Sequence, residues 1–177
     1  MTNTYTHETC VERDQKDPLA KYREQFELPA KVIYLDGNSL GPMPKVAATQ
    51  VEKTMKQEWA QGLIGSWNTA GWIGKASKIG DMIAPLIGAN RGEVIVCDTT
   101  SINIYKQLAA ALKLRPERNI IVSETSNFPT DLYMAQGLID HLGHKHALVL
   151  AQPNQNVLDV IDQNVAVVML THVDFKS

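Results

Sequence analysis

The sequence predicts a mostly parallel α/β sheet flanked by helices, and three observations carry that prediction. Short apolar runs rich in Val, Ile and Leu alternate with longer segments of helical periodicity. The run Val165-Ala166-Val167-Val168-Met169-Leu170 is continuous and apolar, the pattern of a strand covered on both faces. Turn formers and hydroxyl side chains gather where the apolar runs end, and those junctions are where parallel α/β sheets bind ligands.

Taken in order, residues 1–18 read as a polar arm and 19–28 as a short helix. Val32-Ile33-Tyr34-Leu35 reads as a strand, closed by the turn formers Asp36-Gly37-Asn38-Ser39. Pro42 and Pro44 introduce a helix that runs to about Gln61, with Val46, Val51, Met55 and Trp59 near helical spacing. A loop with Gly and Trp over 62–71 leads to a second helix over 72–87. Residues 93–97 form the next expected strand, then a helix over 102–114 with Thr99, Thr100 or Ser101 as its N-cap. Residues 119–124 are a strand, followed by a helix to about Leu142 and strands over 147–150 and 165–170.

Composition narrows the function classes. The chain has 177 residues, 44% apolar and 20% charged, with a net charge of −2, which is ordinary globular composition. No basic block suggests nucleic acid or an anionic membrane as partner. The apolar runs fall far short of a membrane span, and the polar first eighteen residues hold no apolar signal core. Cys10 and Cys97, one in a polar segment and one ending a strand-like run, do not suggest a disulfide scaffold. A soluble cytoplasmic protein is expected.

Several motif-like stretches carry no chemistry. Gly71-Trp72-Ile73-Gly74-Lys75 is too short between its glycines for a P-loop, and no strand precedes it. No strand leads into G-x-G-x-x-G, and no G-x-S-x-G elbow occurs. His141, His144 and His146 lack the acidic or cysteine partners of a metal set, so surface histidines are expected and no metal.

Three junctions remain. Cys97-Asp98-Thr99-Thr100-Ser101 joins a strand to a helix N-terminus, where free N–H groups, the dipole and two hydroxyls suit a phosphate. Simple capping explains the same residues. Thr125-Ser126-Asn127-Phe128-Pro129-Thr130-Asp131 adds an aromatic ring and a carboxylate at the next helix start, and Thr171-His172 ends the last strand. Phe128 as a core aromatic and Asp131 as a first-turn acid are the plain alternatives. Three strand ends with hydroxyls at one sheet edge favour a flat, phosphorylated, heteroaromatic cofactor.

The ordered set Tyr34-Leu35-Asp36-Gly37-Asn38-Ser39-Leu40-Gly41-Pro42, Gly65-Ser66-Trp67-Asn68, Cys97-Asp98-Thr99-Thr100-Ser101-Ile102-Asn103 and Asn127-Phe128-Pro129-Thr130-Asp131-Leu132-Tyr133 resembles bacterial kynureninases. These are pyridoxal-phosphate enzymes of the aspartate-aminotransferase fold (fold type I), and the resemblance runs from about residue 19 to the last. It covers only the N-terminal part of that family's chain. The resemblance implies an N-terminal arm and short helix over 1–30, a segment with the substrate-side turn and helices over 31–90, and an incomplete large cofactor domain over 91–177.

By the same resemblance, Thr100 and Ser101 hold the cofactor phosphate, Phe128 stacks on the pyridine, and Pro129, Thr130 and Asp131 complete that wall with Thr171. Asn38, Ser39 and Trp67 match positions near the substrate. The implied reaction is hydrolytic Cβ–Cγ cleavage of L-kynurenine or 3-hydroxykynurenine, giving an anthranilate and L-alanine, in a homodimer active in tryptophan degradation and NAD biosynthesis. The family's Schiff-base lysine has no counterpart in these 177 residues, and surface exposure is the better reading of Lys106 and Lys176. No catalytic residue is therefore expected here, and the chain read as a fragment should be inactive alone. Two other readings are another lyase or aminotransferase of the same fold, such as a cysteine desulfurase, and a non-catalytic partner subunit. A Phe at the stacking position opposes the former, because those enzymes commonly place histidine there.

Overall fold

The computed structural model describes residues 5–174. It separates into two compact units, Met1–Lys78 and Ile79–Ser177.

The first unit is mainly helical. α1 (His7–Gln15) forms inside the expected polar arm. A reciprocal cap starts it: Thr9 N–H donates to Thr6 Oγ1 at 3.3 Å, and Thr6 N–H donates to Thr9 Oγ1 at 2.9 Å. Thr-x-x-Thr is a weak version of the usual capping box, so the start was easy to pass over in sequence. The helix expected over 19–28 is a tighter 3₁₀ turn, Ala20–Gln25. It leads into β1 (Phe26–Glu27), which pairs antiparallel with β2 (Met43–Pro44).

The strand expected at 32–35 does not form. Residues 31–40 are exposed, and the Tyr34 hydroxyl donates to the Leu40 carbonyl at 2.5 Å, closing a loop. An apolar run with no neighbouring strand has nowhere to send its backbone hydrogen bonds. The helix expected to about Gln61 is present as α2 (Lys45–Lys53), a π-helical stretch (Thr54–Trp59) and α3 (Ala60–Gly62). The expected loop over 62–71 is instead a 3₁₀ turn, Leu63–Gly65, followed by α4 (Ser66–Thr69).

Glu58 organises this corner. Its carboxylate accepts from the Trp72 indole N–H at 2.7 Å and pairs with Lys75 at 3.4 Å, while its carbonyl accepts from Ser66 Oγ at 2.5 Å. The Trp72 hydrogen bond, then Lys75, hold the Glu58 carboxyl below its ordinary pKa. Ser66 is the one fully buried residue among the described residues of this unit.

α5 (Trp72–Ile83) and a 3₁₀ turn (Ala84–Leu86) lead into the second unit. Asp81 then ties down the following turn, accepting from Gly92 N–H at 2.8 Å. Residues 93–97, expected as a strand, have no ladder partner, and the backbone at Val94 and Ile95 lies against Gly80 of α5. The α/β layer comprises α6 (Thr100–Leu114), β3 (Ile120–Glu124), α7 (Pro129–His141), β4 (Ala147–Ala151), a 3₁₀ turn (Val157–Val160) and β5 (Val165–Val168). The three strands are parallel in the order β4-β3-β5, with Ile121 opposite Leu148 and Val167.

α6 and α7 pack on this sheet around Leu108, Leu112, Ile121, Ala135, Leu138 and Ile139. This is the alternation that the sequence predicts, and α6 starts two residues early because Thr99 is the N-cap, accepting from Ile102 N–H. The expectation that 165–170 is covered on both faces is corrected. Val165 is buried, but β5 ends at Val168, and Val168 and Leu170 are 40% and 48% exposed.

Candidate functional site

Parallel strands place all their carboxyl ends at one edge, and helices that run back across the sheet start there. In the second unit that edge holds the ends of β3 and β5 and the N-termini of α6 and α7. Thr100 lines a cleft of about 470 Å³ with Asn103, Ile104, Leu108, Val167 and Met169.

The α6 terminus is built from its own sequence. Asp98 takes a left-handed conformation at φ 50°, tolerable for Asp, and Thr99 caps the helix. Thr100 and Ser101 occupy the first turn, where backbone N–H groups have no intrahelical acceptor. Their hydroxyls make no hydrogen bond within the described residues. Such donors suit a phosphate dianion.

The second wall is held by a residue that sequence reasoning left out of the site, Asn127, which is 5% exposed. Its Oδ1 accepts from Phe128 N–H at 2.7 Å and from the Thr171 hydroxyl at 2.5 Å. Its Nδ2 donates to Ser123 Oγ at 3.0 Å and to the Met169 carbonyl at 3.5 Å. The fully buried Ser123 hydroxyl in turn donates a hydrogen bond to the Met169 carbonyl at 2.7 Å. One amide thus joins the end of β3, the start of α7 and the segment after β5. The available signal was a polar residue just after an apolar strand, and nothing marked it as buried.

Asn127 therefore ties the Phe128 backbone and the Thr171 side chain to one amide oxygen. Phe128 keeps 44% of its surface exposed, and Pro129, Thr130 and Asp131 form the first turn of α7. Burial pushes the Asp131 carboxyl above its ordinary pKa of 3.8.

A pH prediction follows for Asp131. The folded state binds the proton more readily than the unfolded one, so stability rises as pH falls from neutral toward 3.8 and declines as pH rises again. Asp131→Asn removes this slope. Urea unfolding at pH 7 should show the variant at least as stable as the parent, and at pH 4.5 the parent should gain on it. A parent that loses ground to the variant on acidification contradicts the assignment.

Lys106 is not poised for attack. Its ammonium pairs with the Asp98 carboxylate, and that hydrogen bond raises the Lys106 pKa and lowers that of Asp98. A nucleophilic amine needs the opposite shift. Lys176 lies outside the described residues. Asn38, Ser39 and Trp67 belong to the first unit. Ser39 Oγ donates to Asp36 Oδ1 at 2.8 Å, and Trp67, 48% exposed, meets Trp72 edge-on at 6.3 Å between centroids. His144 pairs with Asp140 at 3.3 Å, and no group of metal-ligating side chains occurs among the described residues. No described helix is long and apolar enough to cross a membrane.

The second unit is thus an α/β layer whose helix N-termini and strand ends share one edge of a parallel sheet. No family model matches the chain. Among curated proteins it is 51% identical over 176 residues to kynureninases from Burkholderia pseudomallei (strain 1106a), Pseudomonas fluorescens and Burkholderia mallei (strain SAVP1). Each match covers 97% of this chain and 42% of the relative. The chain is thus similar to these kynureninases along nearly its whole length and spans less than half the length of those relatives.

Proposed function

We propose that this chain supplies one wall of a pyridoxal-phosphate site in a kynureninase of fold type I, a cytoplasmic homodimer that cleaves L-kynurenine or 3-hydroxykynurenine by hydrolysis. The observation that carries the reading is one sheet edge holding an open helix N-terminus with two unengaged hydroxyls and, through Asn127, an exposed ring with a carboxylate beside it. That donor set fits the cofactor: a phosphate needs N–H and O–H donors, and a flat cation needs an aromatic face and a negative charge.

Pyridoxal phosphate, when bound, supplies the electron sink for carbon–carbon cleavage. The chain's residues supply position. Thr100, Ser101 and the first N–H groups of α6 hold the phosphate; Phe128 lies against the ring; Pro129 and Thr130 fix the turn that carries Asp131, which adds negative charge; Thr171 closes the wall. By resemblance to kynureninases, Asn38, Ser39 and Trp67 are the substrate-side positions. Lys106, held by Asp98, is not placed for covalent attachment, and the resemblance offers no other lysine, so the 177 residues alone should not turn over.

The test is cofactor binding. Titrated with pyridoxal phosphate, the chain should bind it, and Phe128→Ala should weaken binding about fivefold to tenfold, since an aromatic contact adds about 1 kcal/mol beyond the area it buries. Anthranilate formed from L-kynurenine by the purified 177-residue chain contradicts the half-site reading. Unchanged affinity in Phe128→Ala removes the stacking role.

A further inference from the structure

The loop that enters α6 is held by two of the helix's own side chains. Asn103 and Lys106 lie three residues apart on α6, so their side chains share one face. Asn103 Nδ2 donates to the Cys97 carbonyl at 2.8 Å, its Oδ1 accepts from Cys97 Sγ at 3.5 Å, and its backbone N–H donates to the Thr99 carbonyl at 2.9 Å. The Lys106 ammonium binds the Asp98 carboxylate. Between these two anchors sits Asp98 at φ 50°, in the left-handed region that Asp adopts more readily than most L-residues.

We infer that Asn103 and Lys106 are positioning residues that fold residues 97–99 back onto α6, so that the open N–H groups and hydroxyls of Thr100 and Ser101 face a phosphate ester. The inference rests on the proposed reading of this terminus as a phosphate cradle. Neither side chain touches the ligand. Each acts through the loop it restrains: Asn103 fixes the carbonyl before Asp98, and Lys106 fixes the side chain of Asp98 itself. Lys106 performs a second task there, because it neutralises a carboxylate two residues before the cradle that would otherwise repel an anion.

Pyridoxine 5′-phosphate and pyridoxine are the appropriate probes, since they differ only in the phosphate and neither carries an aldehyde that would label surface lysines. Equilibrium binding of both to the parent chain and to Asn103→Ala, Lys106→Met and Lys106→Arg separates the roles. The parent should prefer the phosphorylated probe. Asn103→Ala and Lys106→Met should each weaken that probe about tenfold and leave pyridoxine unchanged, while Lys106→Arg should retain parental affinity. Far-UV circular dichroism melts should coincide for all four proteins. Variants that lose both probes together, or that melt early, show a general folding role and overturn the inference. A parent that prefers the phosphorylated probe beside variants that bind it equally well overturns the inference alone. A parent with no preference for the phosphorylated probe overturns the cradle reading, and the inference with it.

Discussion

Replacing Asn127 with Leu is expected to destabilise the second unit by about 3 kcal/mol, because each buried polar group left without a partner costs about 1–3 kcal/mol. Leu fills a similar volume, so the loss is one of hydrogen bonds and not of packing. Phe128 N–H loses its acceptor at 2.7 Å, and Ser123 Oγ loses its donor at 3.0 Å. Thr171, already exposed, turns to water. Asn127→Asp sharpens the test. It keeps the Oδ1 acceptor of the Phe128 N–H and the Thr171 hydroxyl but replaces the Nδ2 donor with a second oxygen facing Ser123 Oγ, whose proton is committed to the Met169 carbonyl. A carboxylate at 5% exposure has its pKa raised by burial. Its folded form therefore prefers the proton, which restores a donor, and the deficit at pH 7 should shrink as pH falls toward 5. Urea unfolding midpoints at both pH values check this. An Asp variant as stable as the parent at pH 7 would show that the amide donor is dispensable. Both variants should also weaken pyridoxal phosphate, since the amide sets the placement of Phe128 and Thr171.

The candidate site was legible in its parts but not in its joinery. Thr100, Ser101, Phe128, Asp131 and Thr171 stand where apolar runs end, and a strand-to-helix junction is visible in sequence as a run of hydroxyls and turn formers. Asn127 and Ser123 look like the same kind of junction residue. Their burial depends on Met169 and Thr171, more than forty positions away, and on β5 lying beside β3. No local pattern encodes that pairing. Asn103 and Lys106 were hidden for another reason. Polar residues on a helix face read as a solvated surface, and only the return of residues 97–98 gives them something to hold.

The fold divides along a similar line. Where a β-α-β pattern is complete, as from α6 to β5, periodicity sets the helices and the apolar runs become paired strands. The runs at 32–35 and 93–97 are as apolar as β4, yet neither has a neighbour to pair with among the described residues. Strand formation is a two-body event: β propensity shapes the chain, and a partner makes the ladder. The capped helix in the N-terminal arm makes the complementary point, since α1 buries nothing and is held by its own termini and polar side chains.

Gly80→Ala should lower stability although Ala is the better helix former. In α5 the exchange gains about 1 kcal/mol of helix propensity. Against that gain, a Cβ at position 80 would lie 1.9 Å from the Val94 carbonyl oxygen and 2.6 Å from its carbon. Backbone atoms cannot rotate away as a side chain does, so α5 or residues 93–97 must shift. Overpacking of this kind costs about 1–3 kcal/mol and occasionally more, and a contact this close belongs at the upper end, leaving a net loss near 2 kcal/mol. Gly137→Ala in α7 is the control. Nothing stands within 4 Å of its Cβ, so the same substitution should raise stability by close to the full propensity gain of about 1 kcal/mol. Opposite signs for the two variants, read from urea midpoints, isolate the close approach of residues 93–97 to α5. The effect also reaches the site, because Val94 lies only a few residues before the Cys97–Thr99 loop that opens α6. If Gly80→Ala moves the unfolding midpoint upward as Gly137→Ala does, the packing of this segment against α5 is not maintained in solution. A lowered midpoint with weakened binding of pyridoxine 5′-phosphate links that packing to the orientation of the α6 terminus.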